Sequence, residues 1–237
     1  IAFLMCYGAM YVSNYTGLIL TQLISILKGS PVTNTMLEVA TSSNLWVNLF
    51  IMVLCAPVAE ELIFRKLLID RLAQYGEGVA VLFSGLMFGL FHGNLNQFVY
   101  AFVLGLCFGF IYVKTGNIRY TIGLHMLVNF LGSVLGVAIL KWLGDDFLSI
   151  ASDPAGMMSY MTGNFGKLIV YFIYIFLLLG VAIAGIILFI VNLKKIRFLP
   201  GMNTLPKGKR FSTTVLNVGM ALYMIVWIVI IIVQLLQ

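Results

Sequence analysis

The stretch Leu49-Phe50-Ile51-Met52-Val53-Leu54-Cys55-Ala56-Pro57-Val58-Ala59-Glu60-Glu61-Leu62-Ile63-Phe64-Arg65 decides how this chain is read. Eleven apolar or small residues lead without a charge into two adjacent carboxylates, and an arginine follows four residues after the second. Extended to Leu45–Ile69, the run is long enough to cross the hydrocarbon core, which takes about 20 apolar residues. A charged side chain at the centre of such a helix costs roughly 2.5–3.5 kcal/mol or more. It is kept when it pairs with something or performs a task.

Working outward, the rest of the chain has the same character. Of 237 residues, 62% are hydrophobic and only 9% charged, and the mean hydropathy is +1.07. A soluble domain carries about 25% charged residues, so lipid is the solvent this composition fits. The other apolar runs are roughly Ile1–Leu27, Val79–His92, Gln97–Val113, Ile118–Leu140, Leu168–Leu193 and Val215–Leu236. The expected fold is all-α: a polytopic transmembrane helical bundle of about seven spans. It forms one membrane domain over residues 1–237, with 141–167 as a long loop. The first run lacks the basic segment and cleavage site of a signal peptide and reads as a true span. Cys6, Cys55 and Cys107 all lie in apolar runs without a CxxC pair, so no disulfide framework is expected.

The net charge of +6 is distributed unevenly. The connection after the second run and its flank hold Arg65, Lys66 and Arg71. The connection after the fourth holds Lys114 and Arg119. The one after the sixth holds Lys194, Lys195, Arg197, Lys207, Lys209 and Arg210. These connections fall on one side of a seven-span bundle and contain eleven of the 14 Lys and Arg residues. Lys28, Lys141 and Lys167 lie on the other side, with Glu38, Asp145, Asp146 and Asp153. The positive-inside rule then puts the basic loops and Ile1 in the cytoplasm and Gln237 outside. The basic loops suit anionic membrane lipids. No aromatic and basic interleaving points to nucleic acid, and no stretch specifies a partner subunit.

Three clusters of ionisable or polar residues sit within the runs. Glu61 and Arg65 are an i, i+4 pair on one helix face, and Glu60 lies about 100° away. Pro57 removes a backbone hydrogen bond just before them. His92 ends the third run. His125 and Asn129 share a face of the fifth. At 1.5 Å per residue, Glu60 lies about 16 Å from Arg71, His125 about 10 Å from Ile118 and His92 about 20 Å from Val79. All three fall in the middle of a core about 30 Å thick. Taken singly, each cluster has a plain structural reading, as an ion pair or a packed histidine. Together they read as a site, although proton relays in transporters use the same residue types.

The order Glu60-Glu61-x-x-x-Arg65, then Phe88-x-x-x-His92, then His125-x-x-x-Asn129 resembles the CPBP family of intramembrane peptidases. That family includes the CAAX prenyl endopeptidases and the Abi proteins, some of them linked to bacteriocin immunity. Gly105-Leu106-Cys107-Phe108-Gly109 and Thr115-Gly116-Asn117 also resemble its pattern, whereas Lys66 stands where the family often has a small residue. The resemblance covers about Asn48 to Ser133, with a catalytic core at about 45–140. It implies an endopeptidase of the plasma membrane of a bacterium, cleaving a membrane-associated peptide or protein. Glu60 and His92 would activate water, His125 and Asn129 would stabilise the oxyanion, and Glu61 and Arg65 would hold the site together. Water would enter from the cytoplasmic side.

Two points stay open in the sequence. Glu60, His92 and His125 could form a His₂Glu site for a divalent metal such as zinc. A metal-free glutamate mechanism is the preferred alternative, and His-Glu-x-x-His is absent. The same fold could also serve as a non-catalytic scaffold or bacteriocin-immunity protein. A transporter is disfavoured, because no paired broken helices occur in two halves.

Overall fold

The computed structural model describes residues 1–144, 147–203, 206–209, 212–213 and 216–236. Asp145, Asp146, Arg210, Val215 and Gln237, which entered the reading of loops and ends, lie outside them. Among the described residues the regular elements are all helical. They are α1 (Ala2–Lys28), α2 (Thr35–Ser42), α3 (Leu45–Tyr75), α4 (Glu77–Phe91), α5 (Leu95–Thr115), α6 (Ile118–Leu143), α7 (Phe147–Ile150), α8 (Pro154–Lys195) and α9 (Val218–Leu236), with a 3₁₀ turn at Lys207–Lys209. Six of them, α1, α3, α5, α6, α8 and α9, are long and apolar enough to cross a membrane. Their outward faces expose large apolar side chains such as Phe172, Ile173 and Phe176, which only lipid solvates without penalty. The chain is an integral membrane protein.

With α4 these helices are the seven runs of the sequence, and two boundaries differ from expectation. The third run has only 15 residues in helix, about 22 Å at 1.5 Å per residue, and it stops inside the bundle. Gly93 ends it with φ 65°, a left-handed conformation that glycine adopts without cost. Asn94 then caps α5, its side chain accepting from the Gln97 N–H at 2.8 Å. The expected loop 141–167 is largely helical. Asp153 caps α8 by accepting from the Ala155 and Gly156 N–H groups, and Pro154 opens the first turn, where its missing N–H costs nothing. Non-helical angles at Asn164 mark a kink. Met157 and Tyr160 pack against Leu143 and Phe147, so this polar stretch is held by burial that its composition does not advertise.

Helix α1 packs along both α5 and α8. Its closest approach to α8 depends on glycine: a Cβ at Gly8 would stand 2.6 Å from the Ile186 nitrogen and 2.8 Å from the Ala182 oxygen. Small residues permit such backbone contact in membranes. Gly8→Ile should therefore push the two helices apart and cost about 1–3 kcal/mol, read as a lower melting temperature of the purified protein. An unchanged melting curve would count against the contact.

The connections sort by charge as the sequence requires. At one end, the Glu77 N–H donates to the Leu199 carbonyl, the Asn203 N–H donates to the Gln74 carbonyl, and Lys114 pairs with Glu77. The connections α3–α4, α5–α6 and α8–α9 therefore meet there. At the other end, Lys28 donates to the Leu235 carbonyl, Gln234 to that of Thr33, and Lys141 to that of Ser43. Arg65 does not belong with the basic loops. It is fully buried within α3.

Candidate active site

Helix α3 is irregular around the carboxylates. The α-helical turn Ala56–Glu61 is flanked by π-helical stretches at Asn48–Cys55 and Leu62–Ile69. A π-helix bonds each N–H to the carbonyl five residues back, and such stretches are frequent at functional sites. The Ala56 N–H follows this register and donates to the Ile51 carbonyl. The next bond would run from residue 57 to Met52, but Pro57 has no N–H. The Met52 carbonyl accepts instead from Asn129 Nδ2 on α6, at 2.8 Å. Proline thus creates an unfilled acceptor, and Asn129 fills it across the bundle. One N–H and the amide oxygen of Asn129 remain available, and Asn129 lines the cavity described below.

The two carboxylates part company. Glu61 is fully buried. Its Oε1 accepts from His125 Nδ1 at 3.1 Å, and its Oε2 forms an ion pair with Arg65 Nε at 3.0 Å. Thr121, also fully buried, approaches the same carboxylate. Arg65 Nη1 donates to Ser84 Oγ at 3.1 Å, and the Ser84 hydroxyl donates in turn to the Phe64 carbonyl at 2.8 Å. The guanidinium lies 4.6 Å from the centre of the Phe88 ring and 5.8 Å from that of Phe108, within the range of cation–π attraction. Glu60, one residue earlier, points elsewhere, as its 100° offset requires, and lies on the cavity wall. Its Oε2 is 3.7 Å from His125 Nε2.

Both histidines have one nitrogen committed. A carboxylate beside His125 Nδ1 holds a proton there. The neutral ring therefore presents a lone pair at Nε2, and a protonated ring presents an N–H. His92 Nδ1 donates to the Phe88 carbonyl at 2.8 Å, leaving Nε2 as an acceptor. The rings of His92 and His125 both contact Phe88 edge-on, with centroids 4.9 and 5.6 Å away. Glu60, His92, His125 and Asn129 all line one cavity of about 510 Å³. Glu61 and Arg65 lie behind it.

Several polar groups of the site were not assigned a role from sequence: Gln97 and Tyr100 line the cavity, and Ser84 and Thr121 lie behind it with Arg65 and Glu61. Gln97 donates to the Tyr100 hydroxyl at 2.9 Å, which keeps its own proton to donate into the cavity. The polar residues Asn94, Asn96 and Gln97, which follow His92 directly, are the one sequence signal of this network. Among the described residues no three His, Cys, Asp or Glu side chains are arranged to hold a metal ion. Glu60 and His125 stand together on the cavity wall, and His92 lies on the same wall. Among the described residues, none of the basic loops lines the cavity, although that is the side from which water was expected. Its far wall includes Asn34, Met36 and Leu37, from the opposite end.

Comparison with known proteins finds membrane peptidases. Residues 42–131 match the family model described as Rce1-like, type II CAAX prenyl endopeptidase. The chain is 32% identical over 74 residues to "Putative membrane peptidase YdiL" of Bacillus subtilis (strain 168), which covers 31% of this chain and 30% of that protein. It is 26% identical over 151 residues to the membrane-embedded CAAX protease MroQ of Staphylococcus aureus (strain USA300), covering 61% of this chain and 58% of that one. This chain therefore spans about a third to three-fifths of the length of these curated relatives. No solved structure matches it at comparable strength. The matching region, residues 42–131, carries the paired glutamates, Arg65 and both histidines, and it supports an assignment to the CPBP family of membrane peptidases.

Proposed function

We propose that this protein is an intramembrane endopeptidase of the bacterial plasma membrane that hydrolyses a peptide bond of a membrane-associated protein or peptide, with residues of about 45–140 as its catalytic core. The observation that carries this reading is the division of labour between two adjacent carboxylates. Glu61 is consumed by Arg65 and His125, whereas Glu60 stands on the cavity wall beside His125 Nε2. Pairs of titratable groups held in different surroundings are how one site assigns its acid and its base.

In the proposed reaction, a water held by Glu60 and His92 Nε2 attacks the carbonyl carbon. Glu60 takes the proton, and the carbonyl electrons move onto oxygen. Asn129, through its uncommitted N–H, and the Tyr100 hydroxyl donate to that oxyanion, and His125 does so when its Nε2 is protonated. Collapse of the intermediate breaks the C–N bond, and the proton passes from Glu60 to the leaving amine. The released acid and amine balance the water consumed. A low-dielectric surround strengthens each donor. This route needs no metal step, and it leaves prenylation of the substrate an open variable.

The test compares membrane and secreted peptides of cells producing the wild-type or the Glu60→Gln protein at equal levels. Expected are fragments present only with the wild type and their uncut precursors accumulating with the variant. Identical peptide profiles would overturn the reading.

A further inference from the structure

We propose that the cavity receives an extended, uncharged polypeptide segment from the face of the membrane opposite the basic loops. The inference rests on the endopeptidase reading and adds the side of entry and the chemistry of the entrant.

The cavity has a closed floor toward the basic end. Glu61, Phe64, Arg65, Ser84, Phe108 and Thr121 are all no more than 2% exposed, and together they fill the bundle between the site and the connections that carry Lys114, Arg119 and Lys194. In the other direction the lining continues past Glu60 along the halves of α3 and α6 remote from those connections, through Met52, Ile51, Ser133 and Val137, to Asn34 and Leu37. No residue of the α3–α4, α5–α6 or α8–α9 connections lines it among the described residues. If the basic loops face the cytoplasm, the mouth faces outward.

A second groove of about 490 Å³ joins the first, because Leu18, Asn34 and Asn96 line both. Its walls carry hydroxyls and amides, among them Thr21, Gln22, Ser25 and Ser30, and no charged side chain. Among the described residues the Gln22 and Asn96 side chains make no hydrogen bond to the protein. Each amide offers both donors and an acceptor, the complement of an extended backbone. In the cavity itself Glu60 is the only carboxylate among the described residues, and Met10, Leu104 and Val128 supply apolar wall. Along the groove a charged segment would find no counter-charge, and a lipid chain would leave the amides unpartnered, which is costly.

The test uses the full chain with Glu60→Gln and with Cys6, Cys55 and Cys107 replaced by alanine, so that it does not depend on cleavage. Single cysteines are introduced as Leu37→Cys at the mouth, Gln22→Cys in the groove and Arg71→Cys at the basic end. A membrane-impermeant charged thiol reagent is applied to spheroplasts and to inverted vesicles. Leu37→Cys and Gln22→Cys should label in spheroplasts, and Arg71→Cys only in inverted vesicles. An end-blocked ten-residue Ala/Leu/Ser peptide should slow labelling at Gln22→Cys at least ten-fold, while short-chain phosphatidylcholine should not. Labelling of Leu37→Cys only from the inverted side would overturn the side of entry. Protection by the lipid, or by neither probe, would overturn the entrant. Loss of the cleavage reading alone would leave the labelling pattern as it is.

Discussion

Arg65→Met should cost the protein about 3–5 kcal/mol, the range for removing one partner of a buried ion pair. The physical reason lies in what remains. Glu61 is fully buried and has His125 as its other close partner, so deleting the guanidinium leaves a carboxylate in low dielectric without a compensating cation. Ser84 and the Phe88 ring face also lose their contacts. Arg65→Lys should recover little, because an ammonium cannot present a planar fork to Glu61 and Ser84 while lying over Phe88. The double replacement Glu61→Gln with Arg65→Met removes both charges and should be clearly more stable than Arg65→Met alone. Melting of the purified proteins in one detergent decides it. An Arg65→Met protein that melts with the wild type, or a double variant no better than the single, would refute this account of the pair.

That pair was legible in the sequence because spacing alone sets it. Four residues on a helix place Glu61 beside Arg65, and two adjacent glutamates cannot share a direction. The same rule put His125 and Asn129 on one face, and both line the cavity. What spacing cannot encode is which faces meet. His125 finds Glu61 across 64 residues of chain and Asn129 finds Met52 across 77. Pro57 announced a missing donor, but the register that leaves Met52 rather than Val53 unfilled comes from the π-helical widening of α3, which has no simple sequence mark. Ser84 and Tyr100 each stand alone in an apolar run, and no spacing ties either of them to the clusters. The basic loops were assigned to one end correctly as a group. Arg65 misled there because a charge near a helix end and a charge buried in the bundle look alike in a linear reading. The direction of the cavity was also hidden: it depends on the depth at which Phe88 and Phe108 close the bundle, not on which residues surround the site.

Glu60→Gln and His125→Gln should each lower turnover by about 10²–10⁴-fold, the usual contribution of a positioned acid or base, and the double variant should be no slower than the worse single. The argument is geometric. Glu60 Oε2 and His125 Nε2 stand 3.7 Å apart at the cavity wall, close enough to act on one water and one oxyanion as a unit. Groups that act as a unit lose nearly everything when either is removed. Glutamine at position 60 keeps the size and hydrogen-bonding capacity of the side chain but cannot take a proton. Glutamine at position 125 retains an amide donor for Glu61, so the buried pair behind the site keeps a partner and the fold should persist. KM should change only a few-fold for both, since neither residue lies in the groove proposed to hold the substrate backbone. The measurement is cleavage of whichever precursor accumulates with the Glu60→Gln protein, by purified protein in proteoliposomes. Losses that multiply in the double variant would mean that the two residues act at separate steps. A His125→Gln protein with wild-type turnover would remove His125 from the chemistry and leave it as a strut for Glu61.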